Sequence, residues 1–143
     1  LNTAFAARAD EDYLTALSHD LHDYHSSFYV TYNKDNIFSV VVIETKGSAV
    51  VKTGYTVDAK NGRVLSLFDV WDCTEEETDA FLRAEIKTYC QNVLNLADEE
   101  VDKIDTATFY YTFYVTDDEI VVLVPSSYFT EDETADIEFI FDK

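Results

Sequence analysis

Few residue types in this chain are able to do chemistry by themselves. The three histidines, His19, His22 and His25, stand at i, i+3 and i+6 and are interleaved with Asp20 and Asp23. Imidazoles three apart on a helix can share a zinc or copper ion, and carboxylates can complete the set. By His25, however, the side chain has rotated about 120° from His19. All three lie opposite the apolar face of the helix that would carry them, so no wall of protein would close the site. The pattern fits a solvated helix end, with imidazoles favoured by the C-terminal dipole, better than a metal centre. No cofactor is expected.

Cys73 and Cys90 form no C-x-x-C pair. Cys73 precedes a predicted helix and Cys90 lies about four turns into it, which separates them by on the order of 20–25 Å. A disulfide needs Cα atoms within about 7 Å. Both are expected to be free thiols, with Cys90 buried. The acidic runs Glu75-Glu76-Glu77, Asp98-Glu99-Glu100 and Glu131-Asp132-Glu133 lack the D-x-D-x-D-G spacing that wraps oxygens around calcium. There is no G-x-S-x-G elbow, and three glycines are too few for a phosphate-cradling loop. The 29 acidic residues leave one enzymatic alternative open, a glycosidase-like carboxylate pair acting on the cell wall.

The same 29 acidic side chains face only 10 basic ones, giving a formal net charge of -19 over 143 residues. That balance offers no electrostatic footprint for nucleic acid, whose phosphates need Lys and Arg. It is also repelled by an anionic membrane surface, so no direct membrane contact is expected. Basic proteins, cations and neutral ligands remain as partners. A hydrophobic fraction of 47% is enough to offset the ordering entropy of a folded domain. No Met is present, initiator included, and no signal segment opens the chain, which predicts one domain, residues 1–143, excised from a longer protein.

The elements that must position these residues follow from periodicity. From Asn2 to about His25, Phe5, Ala9, Tyr13, Leu17, Leu21 and Tyr24 recur at helical steps. Strands are predicted from Ser27 to Tyr32, Ile37 to Glu44, Ala49 to Val57 and Arg63 to Phe68, separated by turn-forming residues, of which Asn61-Gly62 is the strongest hairpin signal. A second helix is predicted over Glu75 to Leu94, with Thr74 as N-cap and Glu77 closing a capping box. Leu96 to Asp105 reads either as an acidic linker or as a short third helix. Strands return at Thr108 to Val115, Ile120 to Val124 and Asp136 to Phe141. The expected fold is α+β, in the order α-β-β-β-β-α-β-β-β: one antiparallel sheet of about seven strands with two main helices packed on one face. If Phe109, Tyr111 and Phe113 face the core, then Tyr110 and Tyr114 line the opposite face as a possible partner surface.

Four stretches, Ser27 to Asn33, then Ile37 to Val40, then Tyr55 to Trp71 with Val57-Asp58 and Asn61-Gly62 in its hairpin and Leu67, Asp69, Val70 and Trp71 at its exit, and finally Phe113 to Pro125, resemble the RsiV/PdaC-type extracytoplasmic domain family. The chain departs from the family at Glu44 to Val51, which lacks the second Gly and the His of the family's Gly-Gly-x-His element. The resemblance implies a module outside the bacterial cytoplasmic membrane, found as the sensor half of an anti-sigma factor that binds lysozyme, or beside a peptidoglycan deacetylase domain. It implies a non-catalytic binding role with a basic protein such as lysozyme, or peptidoglycan, as partner. It also makes Asp58, Asn61, Gly62, Leu67, Asp69 and Trp71 structural residues. Independently of the family, Asp69 follows a strand and precedes a helix. Its carboxylate is placed to accept from free backbone N–H groups of the turn, with Val70 and Trp71 folded back as an apolar plug.

Overall fold

The computed structural model describes residues 24–130 and 135–143, together with Ala7. Its elements run β1 (Tyr24–Lys34), β2 (Ile37–Lys46), β3 (Ala49–Asp58), α1 (Leu67–Trp71), α2 (Glu75–Asn92), α3 (Asp98–Val101), β4 (Thr112–Val115), β5 (Glu119–Pro125) and β6 (Asp136–Asp142). Single 3-10 turns occupy Asp102–Asp105 and Ser126–Tyr128.

The strands do not form one sheet. They make two separate antiparallel three-stranded sheets, β1-β2-β3 and β4-β5-β6. The α+β class stands, but the single sheet of about seven strands is corrected to two sheets with six strands among the described residues. Part of the difference lies in the segment from Arg63 to Phe68. Only Val64 pairs there, in an isolated antiparallel bridge to Val57, before the chain turns into α1. Asp69 starts that helix early. Its Oδ2 accepts from the backbone N and the hydroxyl of Ser66, each at 2.8 Å, so the chain coils where its Val and Leu content had suggested a strand. The second cause, a polar seam between the sheets, is described below.

Hairpin chemistry also differs from expectation. The two-residue turn with both central residues at positive φ is Asp35-Asn36, at +54° and +62°, between paired Lys34 and Ile37. Gly47 takes φ +63° as the first of two loop residues between Lys46 and Ala49. Asn61-Gly62 instead closes a longer loop in which the Gly62 N–H donates to the Asp58 carbonyl at 2.8 Å and only Gly62 is left-handed.

α2 begins as its sequence dictates: the Glu77 N–H donates to Thr74 Oγ1 at 3.2 Å, and the Thr74 N–H donates to Glu77 Oε2 at 2.9 Å. Its buried stripe is Thr78, Leu82, Ile86 and Cys90, whereas Phe81 and Val93 are exposed. The stripe packs on the β4-β5-β6 sheet to form the main core, with Val115, Ile120, Val122, Val124, Phe139 and Phe141. Leu96 to Asp105 forms α3 and a 3-10 turn, which bury Val101 and Ile104 in the same core. Trp71 does fold back, edge-on to Phe141 at 5.0 Å and to Phe81 at 5.5 Å.

The helix predicted over Asn2 to about His25 lies outside the described residues, except that Ala7 is helical and Tyr24 and His25 already belong to β1. No described helix is long and apolar enough to cross a membrane.

Candidate functional site

A buried polar seam joins the two sheets. Ser39 and Thr56 are directly paired across β2 and β3, only 0% and 2% exposed, with their hydroxyl oxygens 2.9 Å apart. β4 is the edge strand facing them. The Val115 N–H donates to Ser39 Oγ at 2.9 Å, and Thr56 Oγ1 donates to the Phe113 carbonyl at 3.3 Å. With Ser39 donating to Thr56, every hydroxyl in this relay is satisfied once as donor and once as acceptor. Nearby, the Gly54 N–H donates to Thr112 Oγ1 at 3.0 Å. The approach is so close that a Cβ on Gly54 would stand 2.2 Å from the Phe113 carbonyl oxygen. The seam thus takes up backbone groups of β4 that a continuous sheet would have paired with another strand. That is why β4 stops the second sheet instead of joining the first.

Two clefts are of interest, the first of them lined by the seam residues Gly54, Thr56, Thr112 and Phe113. One, of about 480 Å³, runs between β3, the Gly62-to-Leu67 loop and Phe113, and carries no charged side chain. The other, of about 260 Å³, lies between α2 and the lead-in to β4. Glu75, Asp79 and Arg83 line it from the helix, and Phe109 and Tyr111 line it from the opposite wall. Arg83 is spent on structure: its Nε donates to Asp79 at 2.7 Å, its Nη1 reaches the Ile104 and Ala107 carbonyls, and its guanidinium lies 5.6 Å from the Phe109 ring centre. Burial raises the Tyr111 pKa, and the carboxylates of Asp79 and Glu75 raise it further.

Asp69 is held by a bidentate Arg63 guanidinium, at 3.1 and 3.2 Å. That pair, helped by Ser66, lowers its pKa to about 2. Asp58 anchors the turn by accepting from the Lys60 N–H at 2.8 Å and from Asn61 Nδ2 at 2.9 Å. Leu67 is buried, and Gly62 supplies the left-handed residue of the loop. These motif residues therefore hold the β3-to-α1 connection together through local bonds and packing.

The histidines do not come together as a described site. His19 and His22 lie outside the described residues, and His25 sits on β1 opposite Thr45, not on a helix. Among the described residues no group of three or more His, Cys, Asp and Glu side chains is placed to hold a metal. The Glu131-to-Glu133 run is outside the described residues. Cys73 and Cys90 are free thiols; burial raises the Cys90 pKa. Tyr110 is 76% exposed on the irregular stretch before β4, while Tyr114 is half-buried on β4 near Lys52 and Glu138.

Periodicity did not reveal the seam. Its traces were a Gly inside a strand at position 54, which marks close backbone approach, and a lone Ser in the apolar run of β2. Comparison with known proteins adds no assignment: no family model matches the chain and no curated protein matches it.

Proposed function

We propose that this chain is a non-catalytic, extracytoplasmic binding module of the RsiV/PdaC type that captures a cationic protein partner. One observation carries the proposal. At least six of the ten basic side chains, Lys34, Lys46, Lys52, Arg63, Arg83 and Lys87, are held in ion pairs with carboxylates. The excess negative charge is therefore not offset by any free basic patch built from these six, and the surface field is available to steer a basic protein. The cleft presents the Glu75 carboxylate beside the Phe109 and Tyr111 rings, a combination that accepts a Lys or Arg side chain.

The test is calorimetric titration with lysozyme, alongside cytochrome c as a second basic protein, at low and at physiological ionic strength. Binding of lysozyme that weakens as salt rises supports the proposal. Absence of binding to either protein overturns it. So does turnover of peptidoglycan by the chain, which would assign a wall-active enzyme instead.

A further inference from the structure

Two three-stranded sheets have four edges, and three of them are guarded. The β4 edge is taken up by Ser39 and Thr56, as described above. The β3 edge is blocked at one end by the Val57–Val64 bridge and the Leu65 N–H donating to the Thr56 carbonyl. It is blocked at the other end by the Val50–Ala135 bridge and the Lys52 N–H donating to Asp136. The β6 edge carries three carboxylates in seven residues, Asp136, Glu138 and Asp142, which is a usual defence against strand addition.

β1 has none of these protections among the described residues. It is eleven residues long, and Phe28, Tyr29 and Val30 are 68%, 58% and 53% exposed in succession, so both faces of the strand present apolar surface. It contains no Pro and no carboxylate, and its sole Lys, Lys34, is tied to Asp117 at 2.6 Å. An apolar, β-branched and aromatic edge of this kind is a template for another strand.

We infer that β1 pairs antiparallel with β1 of a second copy, about an axis near Phe28, joining two three-stranded sheets into one of six. The strand's own side chains fit this occupant: the two-fold axis sets Phe28 against Phe28 and Ser26 against Val30. A cationic segment laid along β1 would meet no carboxylate on the strand, whereas a second β1 brings only uncharged side chains against Ser26 to Val30. The register shift between Val30 and Tyr32 lies beyond that paired stretch. Pairing is isologous and consumes both open edges, so assembly stops at two. Each copy carries a net charge of -19, so the long-range field opposes approach and screening favours it. Salt therefore strengthens self-association, opposite in sign to its effect on a cationic partner.

Sedimentation equilibrium of the intact chain up to millimolar concentration, at low and high salt, tests this, with amide hydrogen exchange read along β1. The expected result is a mass rising toward twice 16.4 kDa, more so at high salt, with added protection confined to the Ser26-to-Val30 amides. Phe28→Lys and Val30→Lys, both at exposed positions, each weaken association by about tenfold or more while the circular dichroism is retained. A monomer at every salt concentration overturns the inference. So does a dimer indifferent to both lysines, or growth into open-ended oligomers. If the lysine variants lose structure, protection of the β1 amides in the unaltered chain still decides between pairing and its absence.

Discussion

At the residue scale, the molecule depends on a few small side chains in places where larger ones would be ordinary. Ser39→Ala would leave the buried Val115 N–H without its acceptor and break the relay to Thr56. A loss of about 1–3 kcal/mol is expected in chemical denaturation, the cost of one buried unsatisfied donor. Gly54→Ala is expected to be worse, about 3 kcal/mol or more, because the neighbour it strikes is backbone, which cannot rotate away. Asp69 gives a prediction of a different kind. Its carboxyl is held near pKa 2, first by Arg63 and then by Ser66, from an ordinary value of 3.8. A depressed folded pKa contributes stability that is complete above the unfolded value and is lost as pH falls from about 4 to 2. Titration followed by NMR should place the Asp69 midpoint near 2, and Arg63→Ala should move it up toward 3.8. A midpoint unmoved by that substitution would mean that the guanidinium does not hold the carboxylate.

At the element scale, local signals were reliable wherever the chain satisfies its own backbone. The start of α2 was legible because Thr74 and Glu77 cap each other across three residues and need nothing from the rest of the fold. Thr74→Ala should lower stability by about 1 kcal/mol, measured by thermal or urea unfolding. An unchanged midpoint would show that tertiary packing alone fixes that helix end. Strand limits were legible for β2, β3 and β5, whose Val and Ile runs are bounded by turn residues. Arg63 to Phe68 misled for a physical reason. Leu65 and Leu67 alternate like a strand, yet the acidic cap three residues beyond Ser66 begins a helix, and capping prevails over weak β-propensity in so short a segment. The exposed side chains of β1 were likewise invisible to pattern, because exposure depends on whether another strand lies alongside.

At the scale of the whole molecule, the excess of carboxylates sets the response to salt. Exposed ion pairs such as Lys34–Asp117 contribute little to stability, and salt weakens them. Repulsion among the remaining carboxylates is also screened, and with a net charge of -19 that relief is the larger effect. Scanning calorimetry should therefore show Tm rising with sodium chloride, and a gain of about 1 kcal/mol would appear as roughly 4 °C for a chain of this size. A falling Tm would mean that the ion pairs outweigh the repulsion. By itself, the sequence determined the α+β class, the cap of α2, the turn residues, the acidity and the want of a legible catalytic constellation. Each of these rests on composition or on residues a few positions apart. Only the tertiary structure decided that the described strands make two sheets, that Ser39, Gly54 and Thr56 meet β4, and that Phe28, Tyr29 and Val30 of β1 stand exposed. Those contacts join residues 57 to 76 positions apart, and no local period records which distant backbone group a buried hydroxyl will satisfy.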